Sequence, residues 1–211
     1  MFRNSRFFVV IISCLLITSC VSPLQGRQHA GTAGGRPVTT LVLPFWHWRF
    51  HISDTWRIQQ QSNLFDVKED MGEQAFRRQL KQNQGALFTL TPKDQQPGSN
   101  VLTLVVSLLP LKGRSTDTKD WLAHQVEALS FAYSDFKVEE PAGWVGTQKR
   151  WVEMRFSFAN PDSDSAPRVQ SVFWGTIANG SELIVALADP TGQPLDNTLL
   201  KDVPGMIELP E

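Results

Sequence analysis

The sequence predicts an α+β domain, an antiparallel β-sheet flanked by helices, carried behind an export signal. Three observations point to that fold class. Asn179-Gly180 stands between two apolar runs. Both central residues of a type I′ turn need positive φ, so Asn-Gly in this setting is the strongest short-range hairpin signal. Residues 101–109 (VLTLVVSLL) and 182–188 (ELIVALA) are apolar at nearly every position, as strands covered on both faces are. Residues 117–133 place Leu122, Val126, Leu129 and Tyr133 at helical spacing, with Trp121 on the edge of the stripe.

The amino-terminal twenty residues form a separate device. Arg3 and Arg6 make a positive start, and residues 7–17 (FFVVIISCLLI) are continuously apolar. As a helix that run spans only about 17 Å, too short for a hydrocarbon core of about 30 Å. It suits the central region of a signal peptide. Ile17-Thr18-Ser19-Cys20 follows and resembles the lipobox of bacterial lipoproteins, in which the cysteine thiolate takes up a diacylglycerol. The expectation is a signal peptide over 1–19, a palmitate-type lipid on Cys20 and a membrane-held amino terminus. Two or more acyl chains give stable anchoring. Cys14 lies in the discarded segment, so the two cysteines leave the mature chain with no disulfide. Cleavage removes Arg3 and Arg6 and no acid, taking the net charge from -1 to -3. That charge gives no reason to expect a nucleic-acid partner. Val21, where an Asp retains lipoproteins in the inner membrane, favours the outer membrane facing the periplasm, with the inner or cell membrane as the other destination.

Residues 20–40, beyond the cysteine, are rich in Gly, Ser, Thr and Pro without apolar period and read as a flexible tether. The single folded domain is expected over 41–211. With 41% hydrophobic and 19% charged residues the chain is not disordered. A domain of this length buries about 70% of its unfolded surface. The first strand is 46–52, with Trp46, Trp48, Phe50 and Ile52 on one face and His47, Arg49 and His51 on the other. Ser53-Asp54 turns the chain, and Trp56 and Ile58 resume. Asp70 caps a helix over 70–83 with a thin stripe of Met71, Ala75, Phe76 and Leu80. Strands follow at 86–91 and 101–109, separated by Pro-Gly-Ser-Asn. After the helix at 117–133, capped by Asp117, come a short strand at 136–139 and strands at 150–158, 169–178 and 182–188. A last helical segment, 195–203, stops at Pro204-Gly205.

This order, with Phe50-His-Ile-Ser-Asp-Thr-Trp56, the strand 102–107, the helix 120–129, Phe136–Glu140, the Gly146-initiated strand to Phe156 and the hairpin 172–187, resembles the PsbP-like proteins, with the bacterial DcrB-like family among them. The resemblance spans about Trp46 to Leu209. Thr55 replaces the usual Pro before the Trp, and 59–85 reads as an insertion. The resemblance implies an α/β/α sandwich, no shared catalysis, and adaptor, assembly or chaperone roles at membranes. One branch binds a GTPase. No catalytic residues carry over.

The residues themselves show no Gly-x-Ser-x-Gly, P-loop, Cys-x-x-Cys or His-Glu-x-x-His motif. The expectation is a non-enzymatic protein without cofactor or metal. His124 and Glu127, three apart on a helix, and Asp162 with Asp164 in a loop read as solvated surface. The row His47, Arg49, His51 reads as the wet face of a strand or as a basic strip for anionic headgroups or an acidic partner. Trp144, between Gly143 and Gly146, is the best candidate for an exposed aromatic contact. The function these readings favour is a lipid-anchored envelope protein that binds, assembles or adapts other envelope proteins. The alternative is carriage of a lipid or another apolar ligand, suggested by the seven Trp. A hydrolase would need a site assembled from distant residues.

Overall fold

A computed structural model describes residues 28–33, 36–82, 85–95, 101–111, 118–145, 151–161 and 165–209. Cys20 and the signal segment lie outside them, as do Asp117, Gly146, Asp162 and Asp164.

The architecture is α+β, and each strand ladder is antiparallel. In chain order the strands are β1 (Gln28–Ala33), β2 (Arg36–Leu43), β3 (Trp48–Ser53), β4 (Trp56–Gln61), β5 (Gly85–Pro92), β6 (Thr103–Pro110), β7 (Lys137–Val145), β8 (Trp151–Phe158), β9 (Val169–Ala178), β10 (Ser181–Asp189) and β11 (Ile207–Glu208). The helices are α1 (Glu73–Gln82), α2 (Thr118–Ala132) and α3 (Asn197–Gly205). Seven strands form the main sheet in the order β4-β5-β6-β10-β9-β8-β7, and a four-stranded sheet runs β1-β2-β3-β11. The chain crosses between the sheets at Asp54-Thr55, where Ser53 and Thr55 share a hydroxyl hydrogen bond of 2.6 Å.

The apolar runs fall where two-sided burial is available. β6 and β10 are neighbours in the middle of the large sheet. The Asn179-Gly180 turn joins β9 to β10 with φ of 51° and 68°, as a primed hairpin turn demands. One face of the large sheet carries Val152, Met154, Phe156, Phe158, Phe173 and Ile184 under α2. On the other face Leu104, Val106, Leu183, Val185 and Leu187 meet Leu41, Leu43, Trp48, Phe50 and Ile52 of the small sheet, with Phe76 and Leu80 of α1 and Leu200 and Val203 of α3. That second layer is therefore mixed, sheet plus helices.

Three expectations change. Residues 28–33 and 36–40, expected in the tether, are strands: β1 and β2 pair without a register shift from Gln28↔Leu41 to Ala33↔Arg36. Backbone pairing with a strand that buries Leu41 and Leu43 supplies what the missing apolar period could not. The helix expected over 70–83 begins at Glu73. Gly72, at φ 76°, separates it from a 3₁₀ turn at Glu69–Met71. Met71 is consequently outside the helix and exposed, and the stripe reduces to Phe76 and Leu80. Helix α2 is also rolled relative to its apparent stripe. Its fully covered line is Trp121, Gln125 and Leu129, whereas Leu122, Val126 and Tyr133 are only partly covered. Gly175 explains the roll, because a Cβ there would overlap Trp121 Cη2 and approach the Phe173 ring to 2.9 Å. The bare glycine seats the indole.

Candidate functional site

The basic row begins on β3. From residue 48 the alternation is as expected: Trp48, Phe50 and Ile52 point into the core, and Arg49 and His51 point out. His47 does not join them. It lies with Phe45 and Trp46 in the turn before the strand, exposed, at φ 53°, so the row has two members.

Those two are met by a residue 157 or more positions away. β11 pairs Glu208 with Arg49 and Ile207 with Phe50. The Glu208 carboxylate accepts from Arg49 Nη1 at 3.1 Å and contacts His51 Nε2 at 3.2 Å. On the other side of its ring His51 Nδ1 meets Thr40 Oγ1 of β2 at 3.1 Å. The hydrogen bond from His51, and then that from Arg49, hold the Glu208 carboxyl below its ordinary range. The strip is thus a charge-neutralised seam across β2, β3 and β11. Sequence reasoning missed Glu208, since a two-residue strand leaves no periodic signal.

The large sheet ends at β7, which places Trp144 on an edge strand. Val138 pairs with Phe156 and Trp144 with Val152. Both therefore stand on the α2 side of the sheet. α2 covers their partners and leaves these two open: Trp144 is 52% exposed and Val138 44%. Phe131, in the last turn of α2, is 75% exposed. It is the large apolar residue off the helical stripe. The other six Trp are buried, none more than 7% exposed, and belong to the two cores.

Beyond Trp151, which joins the core, the opposite face of β8 is polar. Glu153 accepts the indole N–H of Trp174 at 2.8 Å and pairs with Arg155, whose guanidinium also donates to Asn197 Oδ1 of α3 at 3.2 Å. Ser157 donates to Glu139 and accepts from Arg168 Nε at 3.2 Å, and Arg168 also engages Asp135. These charges pin β7 and α3 to the sheet. Beneath α2, Gln125 donates to Glu182 at 3.1 Å. Both residues are fully buried, a pairing no motif announced. His124 and Glu127 lie 3.8 Å apart on the exposed side of α2. Among the described residues no group of three or more His, Cys, Asp or Glu could hold a metal ion. Nor, among them, is any helix long and apolar enough to cross a membrane.

No family model matches the chain, and no curated protein does. Among solved structures it is similar to the cyanobacterial PsbP (CyanoP) from Synechocystis, with 11% identity and a TM-score of 0.46 over 92% of this chain and 98% of that one. It is also similar to a single-residue mutant of the protein Mog1, with 12% identity and a TM-score of 0.42 over 82% of this chain and 85% of that one.

Proposed function

We propose that the chain is a lipid-anchored protein of the bacterial envelope, of the DcrB-like branch, that binds an envelope protein without catalysing a reaction. Cys20 carries the lipid, and the mature domain faces the periplasm, on the outer membrane by the Val21 criterion. The observation that carries the binding role is the open aromatic edge. Trp144 and Val138 stand uncovered on the terminal strand of the large sheet, and Phe131 is uncovered on α2. An uncovered large aromatic on an edge strand, where no further strand covers it, is a candidate contact anchor. The basic row contributes less, because Glu208 already answers Arg49 and His51.

The test has two arms in intact cells. Cys20→Ser should shift the protein from membrane to soluble fractions, and labelled palmitate should enter the natural chain but not the variant. A photo-crosslinking amino acid at position 144 should yield a discrete adduct with an envelope protein, and one placed at exposed Gln60 of β4 should not. Membrane retention of Cys20→Ser would overturn the anchor. Equal adducts at 144 and 60 would overturn the edge as the contact.

A further inference from the structure

The free edges of the two sheets are not alike. An edge strand displays unpaired N–H and C=O groups, and folded proteins blunt such edges with charge, proline, bulges or brevity. β7 has all but brevity: Lys137, Glu139, Glu140 and Pro141 in its sequence, and register shifts between Val138 and Glu140 and between Glu140 and Gly143. β4 carries Arg57 and a shift between Ile58 and Gln60. β11 has two residues. β1 has none of these guards. Its six residues, QHAGTA, include no Asp, Glu, Lys, Arg or Pro, and its ladder with β2 runs unbroken. It stands at the end of the strand order, with β2 as its strand neighbour among the described residues.

We propose that β1 is a self-association edge, pairing antiparallel with β1 of a second copy about a two-fold axis. Antiparallel pairing of a strand with itself is isologous and closes, so it ends at a dimer instead of growing a fibre. The joined sheet would run β11-β3-β2-β1 and then β1-β2-β3-β11 of the partner.

The occupant follows from where β1 sits in the chain, and this step rests on the lipid anchor proposed above. Seven residues, 21–27, separate Cys20 from Gln28. Fully extended, they reach at most about 25 Å. Every anchored copy therefore presents the same unguarded edge in the same thin layer above the bilayer. At most five residue pairs, centred on Ala30 or Gly31, form an interface well below the roughly 1,200 Å² of stable complexes in solution. Confinement to one layer raises the effective concentration and compensates for that. A second copy fits the edge better than a foreign peptide, since every neighbour at that height already carries the matching strand.

Single cysteines placed in turn at positions 28 to 33 of the full chain, in cells under mild oxidation, test this. The unsubstituted chain is the control for Cys20. Disulfide dimers should peak at the strand centre, Ala30 or Gly31, and fall by several-fold at Gln28 and Ala33. Asn63→Cys, exposed on a 3₁₀ turn, should give none. Gly31→Glu, which adds like charges across the two-fold, should abolish the Ala30→Cys dimer while leaving the thermal melting point nearly unchanged. An Ala30→Cys disulfide to a different protein, or no dimer at any of the six positions, overturns the proposal. The same samples are fractionated. If the chain proves soluble, the anchor fails on its own. The edge is then judged on the same disulfides, surviving if the central pattern persists and falling if it does not.

Discussion

Gly175→Ala is the sharpest probe of how α2 meets the sheet. The added methyl would overlap the Trp121 indole at Cη2 and lie 2.9 Å from two atoms of the Phe173 ring. Neither ring can swing into solvent, because Trp121 is fully buried and Phe173 is 2% exposed. The indole must lift and carry α2 with it. Overpacking of this kind costs about 1–3 kcal/mol. Two rigid rings meet the same methyl, so the upper half of that range applies. For a domain of this size each kcal/mol moves the melting temperature by about 2–4 °C, giving an expected loss of about 4–12 °C. Calorimetry measures it, and near-UV circular dichroism should lose intensity as the buried indole is displaced. Trp121→Phe alone removes packing and also destabilises. In combination with Gly175→Ala the smaller ring makes room for the methyl, so the double variant should lose at least 1 kcal/mol less than the two single losses added, a coupling of the usual size for residues in contact. Additive losses, or a Gly175→Ala protein melting within about 1 °C of the parent, would refute the account of why the helix is rolled.

Other consequences are simpler. Phe76→Ala removes a fully buried ring packed on Phe45 and Trp46. It should cost about 3–5 kcal/mol in urea denaturation. Gly180→Ala forces a Cβ into the left-handed region at φ 68°, and about 1 kcal/mol of lost stability should follow without change in near-UV spectra. Glu208 is held below its usual 4.5 by His51 and Arg49. A depressed carboxyl contributes stability above its unfolded value and loses it as pH falls through the folded one. Urea midpoints of the parent and Glu208→Gln should therefore differ slightly near neutral pH and converge as the pH falls below the ordinary carboxyl value of 4.5 and through the lower folded one. An unchanging gap would mean the carboxylate is not the source. Because the seam is half exposed, the effect should also shrink in high salt.

Much of the large sheet was legible because it is built from local signals. The Asn179-Gly180 turn sets its own hairpin, and the unbroken apolar runs of β6 and β10 require a place with cover on both sides. Val152, Met154, Phe156 and Phe158 share a face as their spacing of two dictates. What escaped depends on pairing at a distance. Residues 28–40 carry no apolar alternation, so nothing local distinguishes a strand from a tether there, and β2 supplies the order. Glu208 becomes the partner of Arg49 only when the chain end returns across 159 residues. The same distinction governs the candidate surfaces. Trp144 could be singled out as a large aromatic beside glycines, but its exposure comes from β7 being the last strand, a fact of strand order. Of the row at 47, 49 and 51, Arg49 and His51 share the outward face of β3 while His47 lies in the turn before it, and the carboxylate that meets the two arrives from elsewhere. Within the regular strands of this fold, local sequence settles which way a side chain points. Whether an outward side chain is free to bind is decided by which strand the topology leaves at the edge.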